Sequence, residues 1–145
     1  MSNESNGTIV ARLHNFAAKV PVMKFLGAEI LEFDHAQQTI TMSYIATPEM
    51  CHSKVIVQGG LITAMVDSSM AYACMGCFEE LMAVPTLEIK VSFLEAGNPG
   101  PMRAVARARR LGKSVGFLEG ELYQHEKLIA TASSTVRLIP ITTDH

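Results

Sequence analysis

The sequence predicts an α+β domain: one long helix wrapped by a curled antiparallel sheet of about six strands, with a further helix at the N-terminus. Three observations predict it. Residues 58–81, QGGLITAMVDSSMAYACMGCFEEL, are the one stretch long and apolar enough for a central buried helix, and two glycines open it. Residues 86–138 read as four alternating segments separated by turn signals, and an alternating pair also precedes the helix.

The totals fit one domain spanning residues 1–145, large enough for a real core. Twelve basic and fourteen acidic side chains give a net charge of -2, which argues against nucleic acid or an anionic membrane surface as partner. Apolar stretches are broken by charge or glycine before they reach membrane-spanning length, and MSNESNGTIV lacks the basic and apolar regions of a secretory signal. A cytoplasmic location is therefore expected. Three cysteines, an odd number, suit a reducing compartment better than a disulfide framework.

In chain order, residues 1–7 are polar and read as frayed. Ile9, Leu13, Phe16 and Val20 recur at helical spacing up to Pro21, so a first helix should end near Lys19. Val22 to Leu26 add another turn, closed by Gly27. Ile30 to Asp34 read as a strand and residues 35–38 as a polar turn. Ile40, Met42 and Tyr44 then alternate with Thr39, Thr41 and Ser43, completing a hairpin. Residues 48–57 deliver the chain to the long helix.

Beyond that helix, Leu87, Ile89, Val91 and Phe93 alternate with Thr86, Glu88, Lys90 and Ser92. Ala96 to Pro101 is a turn. The next strand, 102–111, sets Ala104, Ala106 and Ala108 against Arg103, Val105, Arg107 and Arg109. Gly112-Lys113 turns the chain into 114–124, and His125-Glu126-Lys127 turns it into 128–138.

Within the long helix, Leu61, Met65, Ser68, Tyr72 and Met75 share one face, while Gly60, Ala64, Ser68, Ala71 and Met75 form a stripe of mostly small residues. Such a helix is expected to be buried on more than one side. It carries a lone acid, Asp67, where an unpaired carboxylate would be costly. Either a neighbouring hydroxyl (Thr63 or Ser68) or a partner subunit satisfies it, or it is a catalytic acid or base.

Gln58-Gly59-Gly60-Leu61, then Asp67 seven residues after the second glycine, then the strand TLEIKVSFL and a Gly-Asn-Pro-Gly turn resemble the hotdog-fold acyl-CoA thioesterases of the phenylacetate-pathway (PaaI-like) type. The likeness spans roughly residues 28–138. That family's usual signature is His-Gly-Gly with an asparagine six residues earlier; here those positions hold Gln58 and His52. Glutamine keeps a donor and an acceptor but does not titrate. The resemblance implies thioester hydrolysis without metal or redox cofactor, coenzyme A entering only as part of the substrate. It also implies a homodimer or homotetramer with the site shared between subunits, Thr86 as a hydroxyl that positions water, and carrier binding near Arg110, Lys113 and Ser114, with His52 on the substrate side.

The residues make a physical case beside that likeness. Gly59 and Gly60 at a helix start expose N–H groups that the helix leaves unpaired, at the positive end of the macrodipole. That is a place to hold a thioester carbonyl as it gains charge. The competing explanation is that these glycines only allow tight packing of helix on sheet. Asp67 could attack the thioester carbon or activate water, and both roles stay open. For Arg103, Arg107, Arg109, Arg110 and Lys113, phosphate binding competes with an ordinary solvated sheet face.

Cys74 and Cys77 form a CxxC and Cys51-His52 adds two donors, but no second well-spaced pair exists, so buried free thiols are expected rather than a metal site. Two further functions compete with hydrolysis. A hotdog dehydratase or hydratase needs an imidazole, and position 58 lacks one. A non-catalytic acyl-CoA-binding module would hold its ligand more readily with an apolar residue at position 67.

Overall fold

The computed structural model describes residues 3–142. Helix α1 spans Asn6–Ala17 and the short α2 spans Pro21–Phe25. Strands β1 (Glu29–Asp34) and β2 (Thr39–Ala46) follow, then a 3-10 turn at Pro48–Met50 and the long helix α3, Gly59–Gly76. The rest is β3 (Met82–Ala83), β4 (Thr86–Phe93), β5 (Gly100–Leu111), β6 (Val115–Gln124), β7 (Lys127–Arg137) and β8 (Ile139–Pro140). Six strands form one antiparallel sheet in the order β1-β2-β5-β6-β7-β4, and β3 pairs with β8 beside it. This is the hotdog arrangement, with α3 crossing the sheet over β5 and β6.

Small residues let the sheet approach the helix. Ala104 and Ala106 of β5 and Ala130 of β7 are fully buried, and a Cβ at Gly120 of β6 would lie 2.9 Å from Val66 Cγ2 of the helix. Helix α1 has 12 residues, marginal in isolation. Its Ile9 and Leu13 are fully buried, a gain of roughly 1.5–3 kcal/mol each that holds it in place. Ser5 caps it by accepting a hydrogen bond from the Thr8 N–H, and Arg12 forks onto Glu4.

Two expectations are corrected. The chain is ordered well before Gly7: Asn6 already belongs to α1 and the Asn3 N–H donates to Glu79, while residues 1–2 lie outside the described part. The long helix stops at Gly76 rather than near residue 81. There it passes the Phe33 ring, where no side chain would fit, and the polar Glu79 and Glu80 lead into the β3–β8 pairing, which periodicity did not reveal. The helix is buried on more than one side, as expected, with Tyr72, Cys74 and Met75 enclosed beyond its sheet-facing residues. Met65, Val66, Ser69, Met70 and Ala73 face the core, whereas Gly60, Leu61, Ala64, Asp67, Ser68 and Ala71 make a face left partly open within this one chain.

Candidate active site

Asp67 sits on that open face, and Thr86 begins the adjoining strand β4. The start of β4 is fixed by Thr86 pairing with Val136 and by the Arg137 N–H donating to Pro85 O at 3.0 Å. This brings the Thr86 hydroxyl to Asp67, where Oγ1 donates to Oδ1 at 2.9 Å. The neighbouring hydroxyls expected to serve the acid do not: Thr63 donates back to Gly59 O at 2.9 Å, and Ser68 lies half-exposed beside it. Within this one chain Asp67 is only partly buried, not enclosed in the core.

The second group lies at the start of α3. Gln58 is the N-cap with φ -58 and ψ 133, and its side chain makes no capping bond. Its backbone N–H donates to Met50 O at 2.8 Å. A Cβ at Gly60 would meet nothing within 4 Å, so packing within this one chain does not account for that glycine. A Cβ at Gly59 would lie 3.3 Å from Cε1 and Cζ of Phe93. The first N–H groups of a helix have no acceptor within it, and beside them opens a cleft of about 430 Å³ whose side chains are mainly apolar, Ile56, Val57, Ile62, Phe93 and Leu94, with Gly59 and the acid Glu95 also in its lining. His52 is exposed on the adjoining loop, its backbone N–H donating to Ile56 O.

These two groups do not meet within one chain. Gly59 and Asp67 are eight residues apart on one helix, about 12 Å at 1.5 Å per residue. One thioester carbonyl cannot touch both.

The third group is the turn between β5 and β6. Ser114 O accepts from the Leu138 N–H at 2.9 Å, and among the described residues Arg110 and Lys113 form no ion pair. The other arginines of the strand are engaged: Arg107 bridges Glu119 and Glu121, Arg109 reaches Glu119 at 3.5 Å, and Arg103 lies 4.7 Å over the Tyr123 ring. Hydrogen bonding to Glu119 raises the Arg107 pKa further. This turn occupies the same end of the sheet as Thr86, along the ladder Thr86–Val136–Gly116–Leu111, roughly 10–14 Å away at the usual strand spacing.

Cys74 and Cys77 are buried, and burial pushes both thiols up to about 12, so neither is a ready nucleophile or ligand. Among the described residues no cluster of three His, Cys, Asp or Glu could hold a metal ion, and no helix is long and apolar enough to cross a membrane.

Two polar features escaped periodicity. Tyr44 Oη and Ser69 Oγ are 2.6 Å apart in the core, and burial raises the Tyr44 phenol. Gln124, 5% exposed, lies in phase with the buried Leu118 and Leu122, and a glutamine on an inward face was the signal available.

A family model described as the thioesterase superfamily matches residues 56–130, the segment holding Gly59, Asp67 and Thr86. The acyl-coenzyme A thioesterase PaaI of Escherichia coli K12 is 30% identical over 109 residues, covering 74% of this chain and 74% of that protein. Among solved structures, a phenylacetic acid degradation-related protein of Ralstonia eutropha JMP134 is 33% identical with a TM-score of 0.81, covering 89% of this chain and 98% of the other. The E. coli PaaI protein superposes with a TM-score of 0.82 at 23% identity, covering 95% of this chain and 99% of the other.

Proposed function

The chain belongs to the thioesterase superfamily and is a thioester hydrolase, and from there we propose that it cleaves an acyl-coenzyme A to the free acid and coenzyme A, as a homodimer or larger homo-oligomer in which two copies complete each site. The observation that carries this reading is the Asp67–Thr86 pair on an open helix face, about 12 Å from the glycine helix start.

Strand β4 supports the shared site. It is an edge of the sheet, with Leu87 56% and Phe93 54% exposed on its apolar side. Antiparallel pairing of the whole strand 86–93 with a second copy puts the two-fold axis between Ile89 and Lys90 and sets Thr86 opposite Phe93. Since Phe93 packs on Gly59, the Asp67–Thr86 pair of one copy then faces the helix start of the other. The gap that separates the groups within one chain closes between two.

In this arrangement the N–H groups of Gly59 and Gly60 hold the thioester oxygen as it becomes negative. Asp67 acts as base toward water or as nucleophile toward the carbonyl carbon, with Thr86 fixing one carboxylate oxygen and leaving Oδ2 for the reaction. Gln58 orients the carbonyl through its amide, the acyl group enters the apolar cleft beside Gly59, and His52 stands at its rim. Arg110, Lys113 and Ser114 receive the phosphates of coenzyme A at the Asp67 end. No metal or redox cofactor takes part.

The test is thiol release from a panel of acyl-coenzyme A esters, with binding measured alongside. Turnover of at least one ester above the uncatalysed rate is expected. Tight binding without thiol release would make the protein an acyl-CoA-binding module instead.

A further inference from the structure

The loop at residues 52–57 carries His52, walls the apolar cleft with Ile56 and Val57, and leads directly into Gln58 and Gly59. Residues 52–55 are exposed, so packing does little to order it. Hydrogen bonds to the neighbouring turn do more. Val57 N–H donates to Gly97 O at 2.9 Å, and Asn98 Nδ2 donates to Val55 O at 2.6 Å. The turn is itself clamped from within the sheet: Gln124 Oε1 accepts from the Asn98 N–H at 2.9 Å, and Gln124 Nε2 donates to Asn98 O at 2.8 Å and Pro101 O at 3.3 Å. A buried amide that pairs with three backbone groups is a rigid anchor. Gly97 continues the contact into the helix, since a Cβ there would lie 3.1 Å from Ile62 Cδ1.

We infer that Asn98 is a positioning residue for the reaction: seated on Gln124, its side-chain amide tethers the 52–57 loop and so holds the wall of the acyl cleft and the approach to the helix start in their substrate-binding arrangement. The inference rests on the reading of Gly59 as the oxyanion end. Asn98 touches no reacting atom. Its effect is on the fraction of molecules whose loop is in place, and a lowered fraction weakens apparent affinity in proportion.

Asn98→Asp removes the donor to Val55 while keeping the size of the side chain and both backbone bonds to Gln124. Backbone amide exchange is compared between wild type and variant over residues 52–58 and 86–93, together with kcat and KM on a cleaved acyl-coenzyme A and the thermal midpoint. Exchange over 52–58 should accelerate at least tenfold with 86–93 unchanged, and KM should rise about tenfold with kcat within threefold and the midpoint within about 3 °C. Unchanged exchange over 52–58 overturns the tether whatever the activity. A lowered midpoint with unchanged KM marks a purely structural residue and overturns the positioning role. A wild type that cleaves no acyl-coenzyme A contradicts the thioesterase reading instead, and the exchange comparison still decides the tether.

Discussion

The Thr86 hydroxyl donates to Asp67 Oδ1 at 2.9 Å across nineteen residues of sequence, joining the middle of the long helix to the first residue of an edge strand. This bond engages one oxygen of an acid that sits on the open face of the helix. Asp67→Asn should keep the fold and lower thiol release at least a hundredfold, about 2.7 kcal/mol of barrier. Thr86→Ala should cost less, about tenfold, and Thr86→Ser should restore most of it by returning the donor. Steady-state turnover with a melting curve on each variant checks this, and near wild-type turnover in Asp67→Asn sinks the assignment.

Gln58 is the N-cap of the long helix, and its side chain is free of capping bonds. With Asp67 as base and the helix start as oxyanion donor, no proton remains for position 58 to carry. Gln58→His should therefore stay within about tenfold of wild type, 1.4 kcal/mol, whereas Gln58→Ala should lose more because a donor disappears. A hundredfold gain in Gln58→His would show that the glutamine impairs hydrolysis and would favour a binding role.

The core pair Tyr44–Ser69 makes a prediction about stability alone. Ser69→Ala would leave the Tyr44 hydroxyl buried with only the weak Met42 sulfur at 3.5 Å. It should destabilise by about 1–3 kcal/mol in chemical denaturation while leaving kcat unchanged. A loss under 0.5 kcal/mol would mean that the hydroxyl finds another partner.

Alternation made most of the sheet legible. Leu87 to Phe93 mark a strand because every second residue is apolar, and β4 begins and ends where that pattern does. The strand order was not legible, because nothing local tells β4 that it pairs with β7 rather than β5. The same limit applies to the site. Glycine and acid at a fixed interval pointed to Gly59 and Asp67, but the partner of Asp67 came from a distant strand rather than from Thr63 or Ser68. Arg107 looked like one of a row of free cations until β6 supplied Glu119 and Glu121. Asn98 read only as a turn residue, since its tether and its Gln124 seat both depend on long-range pairing.

Sharing of the site between copies is tested most directly by subunit complementation. Gly59→Pro removes the first helix N–H at a position where proline suits a helix start, and Gln58 already has the extended backbone that precedes proline. Alone it should fold, the exposed Phe93 ring giving way by a few tenths of an ångström to the proline Cβ, and lose at least a hundredfold in turnover. Co-expressed in equal amounts with Asp67→Asn, it should give mixed dimers in which one site has both defects and the other has none. Half of the dimers are mixed, so activity should return to about a quarter of wild type. Activity no higher than that of the two parent variants would contradict a site built from two copies.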